Sequence, residues 1–305
     1  MLVPGKVASK PLLGLALAAA TLAGVGGYAW HESNRPKVLE MYIFDVPGSP
    51  AVFIRTPNDK RVLINGGSNS EIIKNISETL PFYSRRIDHV IATVGDGDHT
   101  TGLIDVVDRY AVDKAIVPAI TLDTLGLASS TDRIYEVFMK TVEDRSLVIQ
   151  KVAAGTRLIL DPSETEAVTA DILFPALPEK FKYSKASAPE LVIRVNYGAT
   201  SVLLIGNASV KVQKFIAESN LLPANALITS LNAASSNLSI ELMNSTAPDS
   251  IIYSRTVKKS IVVAKKKPEP DPLAGILNEN RFNLREIGKV RIVSDGTTLK
   301  TEKAP

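Results

Sequence analysis

A four-layer αββα sandwich of the α/β class, preceded by one N-terminal transmembrane helix, is the fold this sequence predicts. Two hairpin patterns, near residues 38–64 and 191–205, are each followed by alternating strand and helix patterns. The chain is 45% hydrophobic over 305 residues, enough to bury a sizeable core. A run of 20 residues without a charge, Pro11 to Trp30, precedes both halves.

That run matches a hydrocarbon thickness of about 30 Å. Tyr28 and Trp30 end it, where amphipathic rings favour the interface. A cleaved signal peptide competes with a retained anchor, but its apolar region would be shorter, and no clear A-x-A site precedes a polar start. The retained anchor is therefore the expectation. Ala16, Ala20 and Gly24, like Ala19, Ala23 and Gly27, recur every four positions, as in a helix-pairing face or a plain Ala-rich span. Lys6 and Lys10 before the span favour an inside N-terminus, a single-pass protein and an extracytoplasmic domain. The expected divisions are a basic segment at 1–10, the span at 11–30, a linker at 31–37, a domain at 38–300 and a tail at 301–305.

Residues Val38–Phe44, Ala51–Thr56 and Arg61–Ile64 read as strands, with Pro57-Asn58-Asp59 as the hairpin turn. Asn65-Gly66-Gly67-Ser68 breaks the third. Ile72, Ile73, Ile76 and Leu80 share one face of a helix over Glu71–Leu80. A buried strand at Ile87–Thr93 leads to a helix over Thr100–Tyr110, and Ala115–Val117 is a strand ended by Pro118. A helix over Thr131–Arg145 and strands at Leu147–Val152, Arg157–Leu160 and Ala170–Phe174 follow. After a loop from Pro175 to Pro189 comes the second hairpin, Leu191–Asn196 and Ser201–Ile205. The remainder reads as helix Val210–Glu218, strand Ala226–Thr229, helix Leu238–Ser245 and strand Ser250–Tyr253. A helix at Leu273–Asn280 and strands near Arg285–Ile287 and Val290–Val293 close the chain, with fraying expected over Thr297–Pro305.

Chemistry-bearing residues concentrate in Thr93-Val94-Gly95-Asp96-Gly97-Asp98-His99-Thr100-Thr101-Gly102-Leu103, at a strand-to-helix turn. Asp96, Asp98 and His99 could hold one weakly bound divalent metal, zinc, manganese or magnesium. They serve a structural turn equally well, with Asp98 capping a helix that begins near His99 while Asp96 and the two glycines shape the turn. The other two histidines add no ligand: His31 lies in the linker, and His89 reads as a packed or edge-strand residue. An EF-hand fails because Thr100 and Thr101 stand at its third-ligand and glycine positions. The chain has no Cys, which excludes disulfides, thiolate nucleophiles and Cys-based zinc sites. No Walker loop, dinucleotide fingerprint or G-x-S-x-G elbow is present. Net charge is +3, so no global polycation marks a nucleic-acid binder.

From about Val38 to Lys300 the chain resembles the metallo-β-lactamase-fold domain of the ComEC-type competence family, which internalises DNA. Tyr42-Ile43-Phe44-Asp45-Val46, Arg55 to Lys60 and Leu63-Ile64-Asn65-Gly66-Gly67 are similar to its opening strand, hairpin and aspartate-glycine-glycine turn. Residues 93–103 are similar to its metal motif, and Leu204-Ile205-Gly206-Asn207-Ala208 to its later strand end. The resemblance implies a two-metal centre, but this chain departs from it at several ligands. Val94 stands for the first histidine, Asn207 for the bridging aspartate, and Leu231-Asn232-Ala233-Ala234 for the late histidine motif. Asn65 replaces the aspartate of the early turn, and no acidic residue lies near Pro50.

The resulting expectation is a membrane-anchored, catalytically inactive binding or scaffold module, in DNA uptake or another envelope process, with no cofactor. The alternative is a metal-dependent hydrolase or phosphodiesterase with a reduced metal site. Lys258, Lys259, Lys265, Lys266 and Lys267 are the candidate phosphate contacts to DNA, or else a solvated loop. No aromatic residues interleave with them, so they form no stacking platform.

Overall fold

The computed structural model describes residues 36–304 apart from 82–83, 128–132, 164–165, 186, 220–222, 233–237, 257–272 and 274, together with helical positions at 14, 16, 18–24 and 26–27. The chain divides into residues 1–37 and 38–305. Within the expected span at 11–30, positions 14, 16, 18–24 and 26–27 are described and helical, and the other nine lie outside the described residues. Among those described, no helix is long and apolar enough to cross a membrane.

Residues 38–305 form two sheets. The first has eight strands: β1 (Leu39–Phe44), β2 (Ala51–Arg55), β3 (Arg61–Ile64), β4 (Arg86–Ile91), β5 (Ala111–Pro118), β6 (Val148–Val152), β14 (Lys289–Ser294) and β15 (Leu299–Lys303). Their spatial order is β15-β14-β1-β2-β3-β4-β5-β6. The second holds β7 (Arg157–Asp161), β8 (Val168–Phe174), β9 (Val192–Tyr197), β10 (Thr200–Gly206), β11 (Ala226–Asn232), β12 (Ser250–Thr256) and β13 (Arg281–Asn283), in the order β13-β12-β11-β10-β9-β8-β7. In each sheet an antiparallel hairpin feeds a parallel run, β3 to β6 in one and β10 to β13 in the other.

Burial follows the period of each element. Met41, Ile43, Val52 and Ile54 of the first sheet join Ile193, Val195, Val202 and Leu204 of the second in one apolar core. The opposite face of the first sheet packs under three helices, α1 (Glu71–Thr79), α2 (Gly97–Arg109) and α3 (Arg133–Asp144), through Ile72, Ile76, Leu103, Val106 and Phe138. The outer face of the second packs under α4 (Val210–Glu218) and α5 (Ile240–Thr246), through Val212, Ile216 and Leu242. Four layers, αββα, result.

The C-terminal region departs from expectation. Among the described residues of 273–280 the only helical element is one 3-10 turn, Asn278–Asn280. The Arg281 guanidinium donates to the Ile276 carbonyl at 3.0 Å and the Leu273 carbonyl at 2.5 Å, and the Leu273 carbonyl also accepts the Ile276 N–H at 2.9 Å, closing a turn. Where a strand was expected at Arg285–Ile287, a short helix, α6 (Leu284–Ile287), follows β13, and the Asn283 side chain accepts from the Arg285 N–H. Residues expected to fray form β15, an edge strand paired to β14, so 301–303 belong to the sheet. Leu299 packs against the inter-sheet core, and Lys300, Glu302 and Lys303 charge the edge against further pairing.

Candidate functional site

The turn between β4 and α2 is built by contacts from the loop after β3, the segment before β9 and helix α3. Asn65, just after β3, sits at φ 59, a left-handed conformation that Asn tolerates better than most residues. Its amide oxygen accepts from the Thr93 N–H at 2.9 Å and the Thr93 hydroxyl at 3.0 Å. The neutral amide also donates to the Ser49 hydroxyl at 3.4 Å, which a carboxylate could not do. The Gly66 N–H donates to the His99 carbonyl at 2.8 Å, and the Gly102 N–H to the Gly67 carbonyl at 3.1 Å. Two glycines permit this approach: a Cβ on Gly66 would lie 2.3 Å from the Leu103 nitrogen. From α3, Tyr135 packs on Gly95 and Ile134 on Gly97.

The helix begins earlier than expected, at Gly97, and its cap is Asp96 rather than Asp98. Asp96 is extended, at φ −145 and ψ 170, so its Oδ1 accepts the His99 N–H at 3.1 Å. Asp98 is exposed in the first turn, where a carboxylate complements the helix dipole. Asp96→Ala is expected to lower stability by about 1 kcal/mol, the usual value of a side-chain cap, measured by urea unfolding.

His99 Nδ1 lies 2.5 Å from Asp96 Oδ1, and its side chain is only 12% exposed. Burial opposes its charge, but the hydrogen bond and charge of Asp96, with the charges of Glu190 and Asp98, outweigh this and raise its pKa. Glu190 is buried. Both its oxygens accept the Asn207 N–H, at 3.1 and 3.2 Å. Burial pushes its carboxyl up to about 7, against the lowering by His99 and by the Asn207 N–H. Gly206, at φ 52, makes room: a Cβ there would meet Glu190 Oε1 at 1.8 Å. The Leu191 N–H donates to the Thr93 carbonyl at 2.9 Å, tying the Glu190 strand end to the turn.

The structure thus links Asp96 and His99 and adds Glu190, which the sequence reading did not single out. Between the strand ends lies a cavity of about 20 Å³, lined in part by Ser49, Asn65, Thr93, Leu191 and Thr229. That holds about one water molecule. A two-metal centre does not fit these residues. Val94 offers no ligand atom, and neutral Asn207 offers no bridging carboxylate. Among the described residues no three His, Cys, Asp or Glu side chains converge as a metal site. His89, on interior strand β4 between Val62 and Lys114, is packed rather than at an edge. The side chains of Leu231 and Asn232, and all of Lys258, Lys259, Lys265, Lys266 and Lys267, lie outside the described residues.

No protein-family model matches the chain, and no curated protein matches it. Among solved structures it is similar to a variant of the CmlA beta-hydroxylase, at 17% identity and TM-score 0.46, over 82% of this chain and 52% of that one. It is also similar to a diphosphatase of the PhnP family, at 11% identity and TM-score 0.45, over 71% of this chain and 86% of that one. A subclass B3 metallo-beta-lactamase isolated from a soil metagenome library aligns at 17% identity and TM-score 0.40, over 62% of this chain and 75% of that one. The chain spans about half the length of the beta-hydroxylase.

Proposed function

We propose that this chain is a metallo-β-lactamase-like domain that works without its metal centre, as a binding or scaffold module rather than a hydrolase. On this reading residues 11–30 anchor it in a membrane, the domain lies outside the cytoplasm, and its partner is DNA or an envelope protein. The carrying observation is the use made of the motif residues. Asp96 caps α2 and binds His99, so two of the three retained candidates are engaged with each other. Val94 and Asn207 stand where further ligands are needed.

One observation favours a second reading, a hydrolase with a single metal. A carboxylate on one ring nitrogen is how a ligating histidine is commonly oriented, and Asp96 stands so beside His99. Metal analysis of the full chain separates the two. After loading with zinc or manganese and dialysis, we expect no stoichiometric ion and no hydrolysis of a phosphodiester. A tightly held ion that is lost in Asp98→Ala would overturn the scaffold reading.

A further inference from the structure

We infer that β6 is a self-association edge, and that two copies of this chain pair through it, antiparallel and centred on Gln150, so that their eight-stranded sheets run on as one. The inference does not depend on whether the strand-end site holds a metal.

The sheet edges are not alike. β15 carries Lys300, Glu302 and Lys303, β13 is three residues long, and β7 has a register shift between Ile159 and Asp161. Charge, shortness and a bulge are the usual guards against further pairing. β6 has five residues, an unbroken register against β5, and Lys151 as its one charge. Its Val148 is 61% exposed. The Ala119 N–H donates to the Val152 carbonyl at 2.8 Å, so Val148, Gln150 and Val152 turn their main chain to β5. By the alternation along a strand, Ile149 and Lys151 turn theirs away from it. Among the described residues nothing bonds those outward N–H and C=O groups.

A second copy fits this edge, and the side chains select the register. A two-fold centred on Lys151 sets lysine opposite lysine, which is destabilising. One centred on Ile149 sets Lys151 opposite Leu147, whose N–H is already given to the Val142 carbonyl at 2.8 Å. Centred on Gln150, the two-fold places Ile149 opposite Lys151 of the second copy, and the outward groups of both residues are bonded. Val148 then meets Val152 of the second copy on the inter-sheet face, where Val152 is already part of the core. A two-fold pairing uses the same patch on both copies, so it closes at a dimer.

The chain has no cysteine, so single cysteines report the pairing without background. In the full chain, Gln150→Cys faces its own copy in a non-hydrogen-bonded pair, with Cα atoms about 4.5 Å apart and within disulfide reach. Val148→Cys occupies a more exposed position, but it lies about 13 Å along the strand from its own copy and out of reach. Under copper–phenanthroline oxidation, read on non-reducing gels, Gln150→Cys is expected to form dimer at least about tenfold faster than Val148→Cys. Adding Lys151→Pro, which removes an outward N–H and no bond to β5, is expected to abolish that advantage. Equal rates, or a faster Val148→Cys, would overturn the pairing, as would an advantage that survives Lys151→Pro. Should the proline chain not fold, the two single cysteines decide the matter alone.

Discussion

Gly102→Ala is expected to destabilise the domain by about 3 kcal/mol, the upper range for overpacking, because the obstruction is backbone. On helix propensity alone the change should help, since Ala is favoured over Gly by about 1 kcal/mol in a helix interior. Gly102 sits within α2, six residues after Asp96. A Cβ there would lie 2.1 Å from the Gly66 carbonyl oxygen and 2.8 Å from the Asn69 oxygen. No rotamer change relieves a clash with main chain. The loop after β3 would have to leave the helix, breaking the Gly102 N–H to Gly67 and Gly66 N–H to His99 bonds. The same movement would loosen Asn65 from Thr93 and with it the turn that carries Asp96. Urea unfolding measures the loss. An unchanged or higher midpoint would show that the loop and helix are not packed as closely as described.

This pair of glycines shows where sequence reasoning stops. Hairpins and amphipathic helices repeat over a few residues, so Ile72 and Ile76, or the alternation around Val192 to Tyr197, declare their faces locally. Gly66 and Gly102 are far apart in the chain, and nothing near either announces the other. Glu190 is harder still. A charged residue after Pro189 reads as solvated loop, and its burial depends on Gly206 and Asn207, which belong to another strand end. Asp96 and Asp98 were both reasonable caps by residue type. The choice between them was made by the extended backbone at Asp96, which leaves its carboxylate to accept the His99 N–H. The last strand was missed for the opposite reason. Leu299 to Lys303 is mostly polar, because an edge strand is stabilised by main-chain pairing and one buried contact.

Domain stability is expected to fall as pH rises from about 5 to 8, and Glu190→Gln is expected to remove most of that slope. The sign follows from proton binding. The Glu190 carboxyl is raised from its ordinary 4.5 to about 7 by burial. Over that interval the folded chain holds a proton that the unfolded chain has released, so raising the pH favours unfolding. At 1.36 kcal/mol per pH unit the shift from 4.5 to about 7 amounts to about 3 kcal/mol. His99 adds in the same sense at higher pH. Despite its burial, Asp96, Glu190 and Asp98 raise its pKa, so its contribution is full below its ordinary pKa and is lost as pH climbs through the folded value. His89 works the other way: burial and the charge of Lys114 lower its pKa, so it favours the folded state more as pH rises through its ordinary range. Asp171 acts lower still, since the Arg157 hydrogen bond holds its carboxyl below the usual range and its contribution is lost only in acid. Comparing wild type with Glu190→Gln cancels His89 and Asp171, whose shifts do not involve Glu190. Urea unfolding at half-unit steps from pH 5 to 8 should give a difference that shrinks steadily with pH. A flat difference would mean that Glu190 titrates as an ordinary solvated carboxylate, and would overturn the burial assigned to it.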